Sequence, residues 1–536
     1  MKLEKTINHH SRAIARYQGR LYELEPRVHI RKLPIEILAG IFLRYRTLCH
    51  KAEPTFFYAW FRVAHVCRFW RNIVRTTPLL FSYIQTIDKA PLQMKEFLRI
   101  SLETPLHIRY NGGFSDKSNW KECIPHFGRV RSLELFDNPH NTKWPTYPEV
   151  HTLSIEGSDS TRKPWFQVDD ELNSIMPNLR CLSTPANILG RTWLSNKILP
   201  HTIQSLEIID NYYLTAETMG NLIQKLSGLP HLKHLALTGL RSDPCVALLN
   251  GTTFNIPHLS SIYLAGCPSV IFLLLHHVPS TERLRLSFEG NHADFKDMTM
   301  LSQILRTKWT PLLNSELSCI CDLHGSEWPD AFDMRLSSGK PCDGAFLDPS
   351  PHIRIAFSSI LLNDLSPLFE SLRKVMSPYL ALVKYTRFKV VGEVYEHSSM
   401  IHTILDGVPY TRYLEIYIQN IPLSFHDCAS RIPAVLDMPS GSGDALLSGL
   451  HRMKIELNVS HYRHGSWSFV RPFLIKLSEA ICTRKLQSLE IDLSRFSHSR
   501  PEAAAKTLEE MVCLFQCMVS EVVIIPPTGT NDGASS

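Results

Sequence analysis

One phrase recurs along most of this chain and constrains what it can fold into: an apolar residue, two variable ones, Leu or Ile, one variable residue, then another apolar residue. It stands at Val130-Arg-Ser-Leu133-Glu-Leu135 and Val150-His-Thr-Leu153-Ser-Ile155, then at Leu179-Arg-Cys-Leu182 and Ile203-Gln-Ser-Leu206-Glu-Ile208. Leu232-Lys-His-Leu235-Ala-Leu237, Leu259-Ser-Ser-Ile262-Tyr-Leu264 and Thr281-Glu-Arg-Leu284-Arg-Leu286 complete the run. The steps between central apolar residues are 20, 29, 24, 29, 27 and 22 residues. The closing alternation is strand periodicity, and each interval leaves room for a helix before the next strand. Pro148, Pro177, Pro200, Pro230, Pro257 and Pro279 precede phrases, where a helix has ended and a strand begins.

The intervals read as helices. Thr215 can cap a segment carrying Glu217 in its first turn and Met219, Leu222, Ile223 and Leu226 on one stripe, stopped by Gly228. Residues 170–176 read similarly. From 287 to 385 the rhythm fades: Leu317 and Ile353-Arg-Ile355-Ala-Phe357 remain, separated by an expected loop over 325–351. It recovers at Arg387-Phe388-Lys-Val390, Leu414-Glu-Ile416, Leu450-His-Arg-Met453-Lys-Ile455, Leu486-Gln-Ser-Leu489-Glu-Ile491 and Val519-Ser-Glu-Val522-Val-Ile524. From Leu414 the steps widen to 39, 36 and 33, which predicts longer helices over 467–482 and 501–518. Residues 439–443 read as a flexible loop.

This array resembles the cysteine-type leucine-rich repeats. In LSSIYLAGC, ending at Cys267, the cysteine would take the buried turn position of such a repeat. The resemblance implies an α/β solenoid with parallel strands, whose units bury their apolar faces only on neighbours. The residue between the last two apolar positions of each phrase then faces outward. Those positions are Glu134, Ser154, Glu207, Ala236, Tyr263, Arg285, Glu415, Lys454 and Glu490. Glu207, Tyr263, Arg285, Glu415 and Lys454 are the candidates for binding a target protein.

Residues 33–84 carry a second signal. Leu33, Ile37, Leu38, Ile41 and Phe42 recur at helical spacing behind Pro34, and Val63, Val66, Cys67, Trp70 and Ile73 repeat the device. Helices this short cannot bury their faces on one another alone. LPxEILxxIF, a spacer, then VCRxWRxIxxxTPxLF resembles an F-box of the kind common in fungal F-box-like proteins. The matching residues are Leu33, Pro34, Glu36, Ile37, Leu38, Ile41 and Phe42, then Val66, Cys67, Arg68, Trp70, Arg71 and Ile73, then Pro78, Leu79 and Phe81. The resemblance implies docking on a Skp-type adaptor and, through it, a cullin-RING ubiquitin ligase. The expected adaptor contacts are Leu33, Pro34, Ile37, Leu38, Ile41, Phe42, Val66 and Trp70. The spacer 44–61 departs from the family in being long, basic and then aromatic. The expected organisation is a polar N-terminal helix within 1–29, a helical F-box over 30–90 with its insert at 44–61, repeats over 91–527 and a disordered tail at 528–536.

Composition bounds the function class. A chain of 536 residues with 44% hydrophobic residues can bury several domains or one long array. The first residues lack the apolar core of a signal peptide, and the run Val270–Leu275 is far short of the ~20 residues a membrane helix needs. Thirteen scattered cysteines, an odd number, suit a reducing compartment. The expected setting is therefore intracellular, cytoplasmic or nuclear, with no membrane partner. Cys319/Cys321 and Cys513/Cys517 read as small buried hydrophobes, not metal ligands. Residues 1–75 carry fifteen Lys/Arg against five Asp/Glu, a net of +10, in a chain of net +6. That basic head suits an acidic protein partner.

No phosphate loop, dinucleotide fingerprint, HExxH, GxSxG or kinase signature is present. His461 and His464 lack further ligands close by, and His276-His277 suits a helix C-terminus. The chain therefore reads as a non-enzymatic substrate receptor of a ubiquitin ligase, without metal or cofactor. Two rivals stay open. One is a nucleic-acid-binding protein using the basic head and the aromatics Phe56-Phe57-Tyr58-Ala-Trp60, disfavoured because basic and aromatic residues are not interleaved. The other is a non-degradative scaffold.

Overall fold

The structure, a computed structural model, describes residues 33–52, 58–86, 91–110, 117–136, 146–156, 172–185, 199–209, 222, 224–240, 256–289, 298–308, 317–324, 330–338, 353–358, 366–391, 398–419, 436, 447, 449–458, 467–482, 486–494 and 501–526. The N-terminal helix, the start of the helix at Thr215, the loop 439–443, His461, His464 and the tail 528–536 lie outside the described residues. The chain divides into two compact units, Met1–Trp165 with Asp169–Cys181 and Phe166–Val168 with Leu182–Ser536.

The first unit opens with α1 (Ile35–Ala52). The Pro34 carbonyl accepts the N–H groups of Ile37 (3.1 Å) and Leu38 (3.2 Å), so the proline closes the first turn without losing a bond. α1 runs well past residue 44, where a spacer was expected. Nothing between Arg44 and Ala52 is Gly or Pro, and the breaker comes only at Pro54. The second expected helix is broken in two. A 3-10 turn, Ala59–His65, and α2 (Arg68–Arg75) are separated by extended Cys67, whose Sγ accepts the Trp70 N–H at 3.5 Å.

Strands and helices then alternate as β1 (Tyr83–Thr86), α3 (Pro91–Ile100), β2 (Leu106–Tyr110), α4 (Lys117–Cys123), β3 (Val130–Leu135), β4 (Thr152–Ile155) and α5 (Leu172–Ile175). β1 to β4 pair in parallel, in order. These helices and strands lie in the same compact unit.

The second unit takes all but the first residue of β5 (Cys181–Pro185), then β6 (Ser205–Ile209), β7 (His234–Leu240), β8 (Ser261–Gly266), α6 (Pro268–His277), β9 (Arg283–Glu289) and α7 (Met298–Lys308). It continues through β10 (Leu317–His324), β11 (Asp330–Ser338), β12 (Ile353–Ser358), α8 (Ser366–Leu380), β13 (Val383–Val391), α9 (Ser398–Gly407) and β14 (Tyr413–Gln419). β15 (Arg452–Asn458), α10 (Trp467–Ile481), β16 (Ser488–Asp492), α11 (Pro501–Gln516) and β17 (Glu521–Ile525) complete it. β6 to β9 run parallel, as do β13 to β17.

Between those two runs sits a meander. β12 pairs with β9, β11 with β12, and β10 with both β11 and β13, giving the spatial order β9-β12-β11-β10-β13. β11 is antiparallel to both neighbours. It occupies 330–338, inside the expected loop, so the fading stretch continues the sheet. The composition around it hid a period-two pattern, Phe332, Met334 and Leu336 alternating with Asp333, Arg335 and Ser337.

The apolar positions of the phrase become two ladders. One runs Leu206, Leu235, Ile262, Leu284, Ile353, Leu336, Cys319, Thr386, Leu414, Met453, Leu489, Val522 in successive strands. Its polar member, Thr386, is buried and shares a 2.7 Å hydrogen bond with the Thr411 hydroxyl. Beyond the ladders, the end of β8 needs a special residue. Gly266 has φ +142°, and a Cβ there would lie 2.1 Å from the Leu240 carbonyl oxygen. Cys267, expected in a buried turn, is instead half-exposed, its Sγ 3.3 Å from Ser269 Oγ. Gly266→Ala is expected to cost about 3 kcal/mol, seen as a fall in the urea midpoint with unchanged slope.

Candidate functional site

α1 presents two different faces. Leu38 and Phe42 are 0% and 2% exposed, whereas Ile37 and Ile41 are 52% and 48% exposed. At 3.6 residues per turn, Ile37, Ile41, Tyr45 and Leu48 fall within about 80° of one another, in a stripe about 16 Å long. All four are exposed, and Val66 adds a further exposed apolar side chain. Two of the expected adaptor contacts, Leu38 and Phe42, are therefore corrected: they belong to the chain's own core. They lie near 100° and 140° from Ile37 on the wheel, about a third of a turn away, which is why five apolar residues do not share one face. Leu33 is half-buried and Pro34 exposed. Trp70 is half-buried, its ring 4.9 Å from that of Phe42, so it contributes to packing.

Aromatic packing and one half-buried cation hold the helix in place. Trp60 is buried, with its ring 5.7 Å from Phe81 and 6.1 Å from Phe97, and Phe81 and Phe97 meet at 4.9 Å. The Tyr58 hydroxyl donates to the Gln85 carbonyl at 2.7 Å. Tyr58 and Trp60 thus serve the fold, while Phe56 and Phe57 lie outside the described residues. Arg46 Nη1 donates to the carbonyls of Leu79 (2.6 Å) and Leu80 (3.1 Å) and to Ser82 Oγ (3.2 Å). It closes the 3-10 turn Pro78–Phe81, and burial lowers its pKa.

The second candidate surface is the face of the second unit's sheet between the two apolar ladders. Glu207, Tyr263, Arg285, Glu415 and Lys454, taken from separate phrases, fall in a single register row. In strand order the row reads Glu207, Ala236, Tyr263, Arg285, Arg354, Arg335, Ile320, Arg387, Glu415, Lys454, Glu490, Val523. Sequence reasoning missed Arg335, Arg354 and Arg387. Their place follows only from the register of the strands; the phrase Phe388-Lys-Val390 put Lys389, not Arg387, in its middle position.

Glu415 is not a displayed charge. It is buried and accepts from the hydroxyls of Tyr385 (2.6 Å), Tyr413 (3.0 Å) and Tyr417 (3.2 Å). Burial, then the neighbouring Glu415 carboxylate, raises the ionisation of Tyr385 and Tyr413 well above the ordinary tyrosine range. Lys454 Nζ donates to Glu490 Oε1 at 2.6 Å, and Glu207 Oε2 accepts from Ser183 Oγ at 2.8 Å. In the first unit the equivalent position, Glu134, accepts from the Tyr83 hydroxyl at 3.0 Å and lies 3.8 Å from Arg109 Nε.

Among the described residues no three His, Cys, Asp or Glu converge as a metal-ligand set, and no helix is long and apolar enough to cross a membrane. Cys319 and Cys321 are buried with their sulfurs 3.6 Å apart, as small apolar groups. Cys513, on α11, and Cys517, just past its end, are both exposed, contrary to expectation. No family model matches this chain, and no curated protein matches its sequence.

The two faces of α1 should separate in stability measurements. Leu38→Ala is expected to cost about 2–5 kcal/mol in chemical denaturation, and Ile37→Ala within about 0.5 kcal/mol of zero. Glu415→Gln should cost about 1–3 kcal/mol, because the amide nitrogen cannot accept from a tyrosine hydroxyl. A fall in the thermal midpoint reads it out.

Proposed function

We propose that this chain is a non-catalytic substrate-recognition subunit of a Skp–cullin–F-box ubiquitin ligase. In this reading residues 30–90 are the F-box, the strand–helix array is an irregular leucine-rich-repeat solenoid, and its open face takes a target protein. The observation that carries it is the apolar stripe Ile37, Ile41, Tyr45 and Leu48, left exposed on a helix whose other stripe is buried. Exposed large apolar residues are common singly, but an aligned row of four invites a partner. The basic neighbours Arg44, Arg62 and Arg68 add an attraction for an acidic one. The L-P-x-E-I-L-x-x-I-F pattern of an F-box falls on this helix and the turn before it.

The chain then contributes proximity. Holding a target beside the ubiquitin-loaded enzyme replaces a bimolecular encounter with an effectively intramolecular one. Ile37→Glu with Ile41→Glu should weaken binding of a purified Skp-type adaptor at least about thirtyfold by calorimetry, with an unchanged thermal midpoint. Unaltered adaptor affinity in that double variant defeats the assignment. A reconstituted ligase that leaves every co-purifying protein unmodified would instead favour a non-degradative scaffold.

A further inference from the structure

The sheet of the second unit ends on β17, which pairs in parallel with β16 and with no other strand among the described residues. The Glu521 N–H donates to Gln487 O, and Ile525 O accepts from the Leu493 N–H, each at 2.9 Å. Backbone groups alternate in direction along a strand. Those of Glu521, Val523 and Ile525 therefore face β16, and those of Val522 and Ile524 face away from it. The apolar core ends here too. Val522 and Ile524 close the two ladders and are half-buried, whereas every earlier member of both ladders is at most 2% exposed. Val523, between them on the open face, is 43% exposed.

The edge strand of the first unit is closed by contrast. The His107 N–H donates to Ser82 O, so the backbone groups of Gln85 face away from β2, and there the Tyr58 hydroxyl donates to the Gln85 carbonyl. Ile84 and Thr86 on that strand are fully buried. β17 lacks the usual guards of an edge. Glu521-Val-Val-Ile-Ile525 holds no Lys, no Pro and no bulge against β16, and its one charge stands at its start. Residues 528–536, TGTNDGASS, carry no large apolar side chain to lay over Val522 and Ile524.

We propose that β17 pairs antiparallel with β17 of a second copy of this chain, about a two-fold axis through Val523. This register engages all the outward groups. Val522 lies opposite Ile524 of the second copy, and Ile524 opposite its Val522, which makes four N–H···O=C bonds. Side chains opposite one another in such a pair lie on the same face, so each Val522 and Ile524 is covered by the other copy and the two cores become continuous. Val523 meets its own counterpart on the open face, at the closer, non-hydrogen-bonded spacing of about 4.5 Å. Glu521 faces Ile525, so no like charges oppose. A strand from a different protein would have to match this apolar, uncharged pattern, and β17 matches it in itself. An isologous contact of this kind closes at two copies.

The test is sedimentation equilibrium of the full chain from about 1 to 200 µM. The expected result is a monomer–dimer equilibrium with a dissociation constant of about 1–100 µM, as suits a small interface. Val523→Glu sets two carboxylates against each other across the axis and should weaken the dimer at least about tenfold, with an unchanged thermal midpoint. Val523→Lys should do the same. An equal mixture of the two variants should regain the dimer, a rescue that misfolding cannot produce. A chain that stays monomeric over the whole range overturns the proposal. So does a dimer unmoved by either substitution, since its interface would lie elsewhere. The apolar stripe of α1 belongs to the other unit and no adaptor is present, so the outcome leaves adaptor docking untouched.

Discussion

Side-chain alternation in register-locked strands is the constraint on which this molecule depends. Two apolar ladders, led by Leu206 and Ile208, cross the second unit with one outward row between them. A shift of one residue in a strand such as β6 or β16 would turn two apolar side chains outward and a glutamate inward. At about 1.5–3 kcal/mol for each buried Leu or Ile, that slip would outweigh any single polar contact on the open face. The apolar ladders therefore fix the pairing, and the outward row is free to vary its chemistry. The first unit repeats the scheme with Ile84, Ile108, Leu133 and Leu153 in one row.

Alternating strands with helices leaves helix C-terminal carbonyls to be satisfied, and cations from elsewhere in the same unit do this repeatedly. Arg129 Nη2 donates to Leu98 O at 3.0 Å near the end of α3, and its Nη1 donates to Thr104 O at 3.0 Å. Lys308 on α7 donates to the carbonyls of Leu275 (2.8 Å), His276 (2.6 Å) and Val278 at the end of α6. Burial lowers the pKa of both groups. Each is a charge-assisted bond at the negative end of a helix, where it stabilises most. His276-His277, read from sequence as the cationic end of α6, thus sits at a terminus that Lys308 already closes. Neighbouring helices are tied as well: Arg373 on α8 bonds Asp406 on α9 at 2.9 Å.

Much of this was legible because the phrase and the register are the same object. Glu207, Tyr263, Arg285, Glu415 and Lys454 share a row because each was chosen as the middle of its phrase, and parallel pairing preserves that frame. β1 and β2 escaped notice because their phrases are incomplete. Thr86 closes the first, and Pro105 stands where the second should open. β11 escaped because an antiparallel strand with Asp and Ser on its alternate positions lies within a segment rich in turn residues. α1 was legible as a helix but not in its division of labour. Periodicity finds apolar residues on one side of a helix, and a stripe wide enough to serve both a core and a partner has the same signature.

The outward row also shows why charge read from sequence is a poor guide to charge on display. Glu415 and Arg285 hold equivalent positions, yet one is enclosed by three tyrosines and the other lies in solvent over one. A carboxylate that accepts three hydroxyl bonds is satisfied and costs little to bury. Its negative charge still acts at a distance, through a partly desolvated environment where screening is weak.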